Sequence, residues 1–181
     1  MSRLPILALG AAGLMLLIIC STSTAANETV DALTIADSTG DWGYPSPYGH
    51  YSRGPGYIRM SFIFDTLIWK DQNGFVPALA EKWEYLPDEK AYVFHLRKGV
   101  TWNDGERFTA KDVAFTYQYI QKYPYSWVDS SIVENAEAVD DNTVKITLTK
   151  DYVPFLDRVA GTLPILPEHI YKDVTDPISF K

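Results

Sequence analysis

Three histidines are the first place to look for metal chemistry, and they are spread too widely to supply it. His50, His95 and His169 stand in different surroundings, and no two have the short spacing that lets imidazoles share an ion. A carboxylate pair of the glycosidase kind is the next candidate. Asp104 and Asp140-Asp141 all fall in turn contexts, where aspartate is favoured because its side chain accepts a backbone hydrogen bond. No Ser/His/Asp order with supporting motifs is present, nor a glycine-rich phosphate loop after a strand. These residues predict a non-catalytic chain that holds no metal and no cofactor. With a single cysteine, Cys20, no intramolecular disulfide can form.

Aromatic side chains remain. The chain carries 5 Trp and 12 Tyr. Such rings give a large contact area for little lost entropy and suit a grip on peptides or sugars, although many also fill cores and interfaces. Several fall in Asp37–Tyr57, DSTGDWGYPSPYGHYSRGPGY, where proline fixes φ and glycine permits positive φ, so the segment must be loop. A loop of this length inside a domain is functional or disordered, and its aromatic content argues against disorder. A net charge of −7 leaves no basic patch to neutralise phosphates, which excludes nucleic acid as a partner.

Around that loop the elements can be read in order. Arg3, the uncharged run Leu4–Cys20 and the small residues to Ala26 form a signal peptide, with Asn27 first after cleavage. Cys20 lies inside the apolar run, and a lipid-anchored Cys20 is the second reading. Ala32–Ala36 reads as a short buried strand. Tyr57–Leu67 carries helical periodicity, Lys70–Gly74 is a turn centred on Asn-Gly, and Pro77–Trp83 reads as one or two helical turns. Ala91–Arg97 alternates, with Tyr92, Phe94 and Leu96 on one face, as a half-exposed antiparallel strand does. Thr109 caps a helix over Lys111–Tyr123, with Asp112 as the capping-box carboxylate and Pro124 as the stop. Ser131–Val139 and Thr143–Thr149 form a hairpin, Tyr152–Val159 a short helix, and Leu163–Tyr171 a proline-punctuated segment. Residues 62–150 therefore make a self-consistent α+β unit, flanked by 27–61 and 151–181.

One contiguous block, PALAEKWEYLPDEKAYVFHLRKGVTWNDGERFTAKDVAFTYQY from Pro77 to Tyr119, resembles the extracellular solute-binding proteins that serve dipeptide, oligopeptide and nickel ABC importers. Matching positions include Pro77, Leu79, Ala80 and Trp83, then Tyr92, Phe94, Leu96, Arg97, Gly99, Val100 and Trp102. They continue through Asp104, Gly105, Phe108, Thr109, Ala110, Asp112 and Val113. The resemblance implies a periplasmic-binding-protein-like two-lobe fold of the α/β class. Residues 27–61 and 151–181 would then belong to lobe I and 62–150 to an extra lobe. It implies an exported, monomeric protein that captures a small peptide and delivers it to membrane permease subunits of an ABC importer. Nickel or sugar capture, or an exported carbohydrate-binding module, is the alternative.

In this family the first part of the chain gives a strand and loop to the cleft wall. That places Trp42, Tyr44, Tyr48, His50 and Tyr51 as ligand-binding candidates. The loop after the long helix also reaches the cleft in relatives, which adds Tyr125 and Trp127. The clamp's second lobe would lie beyond Lys181, so weak peptide binding and a tendency to aggregate are expected of these residues alone. N-terminal sequencing of the exported product is expected to begin at Asn27; a lipid-modified Cys20 as first residue would establish the second reading instead.

Overall fold

Alternation in the sequence becomes a sheet face. In the computed structural model, which describes residues 34, 40–51 and 54–181, Tyr92, Phe94 and Leu96 of one strand all point into the core. The leader, Cys20 and the strand expected at Ala32–Ala36 lie outside the described residues, Thr34 excepted. The described elements are α1 (Pro55–Ser61), β1 (Ile68–Asp71), β2 (Gly74–Pro77), β3 (Ala80–Leu86), β4 (Ala91–Leu96), α2 (Ala110–Lys122), β5 (Val133–Asp140), β6 (Thr143–Leu148) and α3 (Glu168–Tyr171). β1 and β2 pair as a hairpin, and the other strands form an antiparallel sheet in the order β3-β4-β6-β5. α2 lies across β5 and β6. Its Val113, Tyr117 and Ile120 share one core with Phe94, Ala136, Val144 and Ile146.

Three local expectations are corrected. The helix begun at Tyr57 ends at Ser61, not near Leu67. Phe62 and Ile63 donate their N–H groups to Arg59 O and Met60 O and close the last turn, leaving both side chains exposed. Leu67, at a bend, and Ile68, the first residue of β1, are fully buried instead. The next turn is centred on Gln72-Asn73, one residue earlier than Asn-Gly, and Gly74 opens β2 at φ 121. Pro77–Trp83 is not helical, because β3 starts at Ala80. The competing force is non-local: Leu79 and Ala80 donate to Thr66 O and Leu67 O, and β3 pairs with β4 along its length. Such pairing outweighs the modest helix preference of Ala, Leu, Glu and Lys.

Elsewhere the expected elements form. Asp104-Gly105 turns the chain with Gly105 at φ 93, and the hairpin β5–β6 turns at 141–142. The Arg97 guanidinium donates to Ala78 O at 2.5 Å and ties the end of β4 to the entry of β3. Past β6, the short helix is a π-helical turn, Leu156–Ala160, closed by Gly161 N–H donating to Leu156 O at 2.9 Å. Phe155, Val159, Leu163 and Ile165 then enter the same core as the sheet. The segment after β6 is thus packed into the α+β unit rather than trailing from it.

A single buried carboxylate organises that packing. Thr109 accepts from Lys111 N at 3.3 Å, and Asp112 Oδ2 accepts from Thr109 N at 2.8 Å, so the capping box at the start of α2 is complete. The other oxygen, Asp112 Oδ1, accepts from Glu168 N at 3.0 Å and caps the start of α3 as well. One turn along α2, the Thr116 hydroxyl donates to Asp112 O at 2.7 Å and accepts from Leu166 N at 2.9 Å. Asp112 and Thr116 are 4% and 0% exposed, so solvent cannot replace these bonds. Asp112→Ala is expected to destabilise the protein by about 2–4 kcal/mol in urea denaturation, the sum of a lost cap and a stranded amide. Asp112→Asn, which keeps one acceptor, is expected to lose less. Tyr117 offers a control: its buried hydroxyl lacks a protein partner, so Tyr117→Phe is expected to leave stability equal or raised.

Candidate functional site

The aromatic loop closes on itself before it meets anything else. Gly43 and His50 form an antiparallel bridge, and Tyr51 N donates to Trp42 O at 2.9 Å. Gly43 sits at φ 76, and a Cβ there would stand 2.2 Å from Gly49 O, so only glycine allows the two arms to approach. Inside the loop, Ser46 Oγ accepts from Gly49 N at 3.0 Å. The carbonyl of Ser46 takes both His50 N, at 3.2 Å, and the His50 ring, whose Nδ1 lies 2.8 Å away.

Two side chains fasten this loop to the segment after α2. The Tyr48 hydroxyl donates to Tyr123 O at 2.6 Å, and its ring lies 4.4 Å from Tyr125 and 6.1 Å from Tyr119. His50 meets Trp127 edge-on at 5.2 Å, while Trp127 stacks on Tyr125 at 5.1 Å and 19°. Tyr57 of α1 completes the group, edge-on to Trp127 at 5.6 Å. Burial pushes the Tyr48 and Tyr125 hydroxyls above the usual phenol range. The same desolvation pulls the His50 imidazole down.

The seven candidates therefore divide. Tyr48, His50, Tyr125 and Trp127 are brought together, but as a packed cluster facing one another. Tyr44 and Tyr51 stand out at 46% and 57% exposed. Trp42 is half-buried beside Gly40, with its carbonyl committed to Tyr51. Tyr57 and Tyr119, which bind the cluster together, were not among the candidates. Their signal was slight: each is an aromatic on a helix face, indistinguishable in sequence from core filling.

Tyr44 also borders an apolar cleft of about 680 Å³, walled by Phe62, Ile63, Trp102, Phe108 and Tyr171. Among the described residues no three His, Cys, Asp or Glu side chains gather as metal ligands would. His169 instead pairs with Asp104 at 2.7 Å and holds that carboxyl below the usual range, while His95 lies 3.9 Å from Glu84. The cleft and the loop beside it present flat apolar faces and the exposed rings of Tyr44 and Tyr51.

Residues 74–180 match the family profile of bacterial extracellular solute-binding proteins, family 5 (middle). The chain is 38% identical over 118 residues to the dipeptide-binding protein of Escherichia coli, covering 54% of this chain and 22% of that one. Its structure is similar to the ABC transporter substrate-binding protein CtaP of Listeria monocytogenes, with TM-score 0.64 and 29% identity over 79% of this chain and 30% of that one. It is similar also to a periplasmic oligopeptide-binding protein of Thermotoga maritima with mannohexaose bound, at TM-score 0.56 and 32% identity, covering 62% of this chain and 22% of that one. The chain thus spans between about a fifth and a third of the length of these relatives.

The division of the rings predicts opposite mutational costs. Trp127→Ala is expected to lose about 2–4 kcal/mol of stability as packed ring surface is removed. Tyr48→Phe is expected to lose about 1 kcal/mol for its hydrogen bond. Tyr44→Ala and Tyr51→Ala are expected to stay within about 0.5 kcal/mol of the parent. Chemical denaturation midpoints measure all four.

Proposed function

Because the chain belongs to the bacterial extracellular solute-binding proteins of family 5, we propose that it captures short peptides outside the cytoplasm for import by an ABC transporter. The observation that carries this reading is the family match over 74–180, which takes in β3, β4, α2 and the capping residues that fix their arrangement. Binding, not catalysis, is the activity, and the permease subunits of the importer are the protein partner of a monomer. Residues 62–150 form a further lobe of a two-lobed clamp, and 27–61 and 151–181 belong to lobe I, the latter leaving the further lobe only after Phe155 to Ile165 have packed on its sheet. Export uses the leader 1–26, with Cys20 as an alternative lipid anchor.

Within that role the exposed rings of Tyr44 and Tyr51, with the edge of Trp42, contact ligand. Tyr48, His50, Tyr125 and Trp127 hold the loop that presents them. Rigid rings set on a fastened loop give contact area at little entropic cost. A second reading, sugar capture, is favoured by the mannohexaose carried by the Thermotoga maritima relative.

Isothermal titration of the protein purified from its host's exported fraction separates these. Saturable binding is expected with di- and oligopeptides and absent with mannohexaose and nickel. Tyr44→Ala and Tyr51→Ala are expected to weaken peptide binding while leaving the melting temperature unchanged. Binding of mannohexaose without binding of peptides would replace this reading with the second.

A further inference from the structure

Of the two titratable side chains that fasten the loop 42–51, the Tyr48 phenol and the His50 imidazole, only His50 changes charge near neutrality, and its bonding is one-sided. The Ser46 carbonyl can only accept, so Nδ1 carries the proton and donates to it at 2.8 Å. Nε2 is then a bare lone pair, and it is buried with no partner in the protein. The residue is 8% exposed. Around it stand the edge contact to Trp127 at 5.2 Å, Tyr57 of α1 at 6.3 Å, and its own loop's backbone at Ser46 and Pro47. Tyr57 faces it from α1, and Tyr125 is stacked on Trp127; burial raises both phenols, so neither carries charge near neutrality, and Asp129 further along the same segment forms no ion pair with it. Among the described residues no carboxylate forms an ion pair with it.

We propose that His50 is an acid-released latch: proton uptake at Nε2 from solvent frees the 42–51 loop from the Tyr125–Trp127 stack. A second N–H at this site would have no acceptor, and its charge would have no counter-ion. The imidazolium is therefore better solvated with the loop open, where both ring nitrogens reach water. The sign follows from linkage. Burial lowers the proton affinity of His50 in the closed loop below its value of 6.5 in open chain. The closed state thus keeps its full advantage above about pH 6.5 and loses it as pH falls below that value. Opening would unseat Tyr48 as well, because it lies on the same closed loop.

The test is hydrogen exchange of the full chain at about pH 7.5 and about pH 5, corrected for intrinsic rates. Protection of the amides of Tyr51, Gly49 and His50 is expected to fall several-fold at the lower pH, while β4 and β6 amides hold. In His50→Asn, whose side-chain amide keeps the donor to Ser46 O but does not titrate, that loss is expected to vanish. An equal loss in both proteins, or none in the parent, would overturn the proposal. An NMR titration of the parent's His50 ring gives an independent reading: a midpoint at or above 6.5 would overturn it whether or not the variant folds.

Discussion

The Asp112 carboxylate is the constraint on which the rest of this structure depends. Its two oxygens close the first turn of α2 and the first turn of α3, elements separated by the β5–β6 hairpin and the π-helical turn. An exposed aspartate could cap only one of these with any persistence, since water would compete for the second oxygen. Burial removes that competitor and makes both bonds obligatory. With Thr116 holding Leu166, the chain after the core segment Leu163–Ile165 is laid along α2 at two fixed points. The satellite cluster of Tyr119, Leu166 and Tyr171 forms against that docked segment, and Tyr48 packs on it. A line of physical contacts thus runs from one carboxylate to the loop that bears Tyr44 and Tyr51.

Within the block from Pro77 to Tyr119, side-chain contacts hold the scaffold together. Trp102 packs edge-on against Phe108, Arg97 ties Ala78, and Thr109 with Asp112 caps α2. Each residue serves the scaffold. Upstream, the loop 42–51 has its backbone closed by Gly43 and its inner rings packed against the segment after α2. Packed and exposed aromatics thus stand side by side on the same short segment. That division lets the exposed pair vary without cost to the fold.

Much of the fold was legible because it is locally encoded. β6 alternates strictly and β4 does so from Tyr92, and Thr109 with Asp112 announces the start of α2 four residues after Gly105 turns the chain. β3 was misread because Ala-Leu-Ala-Glu-Lys has helical preferences that pairing with β4 overrides. The early end of α1 was hidden for the same reason: Leu67 and Ile68 satisfy a helical period and a buried extended run equally well. At the site, the loop and its rings were visible, but their roles were not. The burial of His50 involves Tyr57 and also Trp127, a residue distant in sequence. The second bond of Asp112 could not be read at all, since Glu168 offers a backbone N–H that any residue but proline would carry.

Through the Asp112 and Thr116 bonds, the segment through Leu166 and Glu168 belongs to the same cooperative unit as the sheet. Native-state hydrogen exchange of those two amides, followed with increasing urea, tests it most directly. Both amides are expected to exchange only by global unfolding, with the free energy and urea dependence of the β4 and β6 amides. Exchange of Leu166 and Glu168 through a low-energy opening insensitive to urea, while β4 and β6 stay protected, would contradict it.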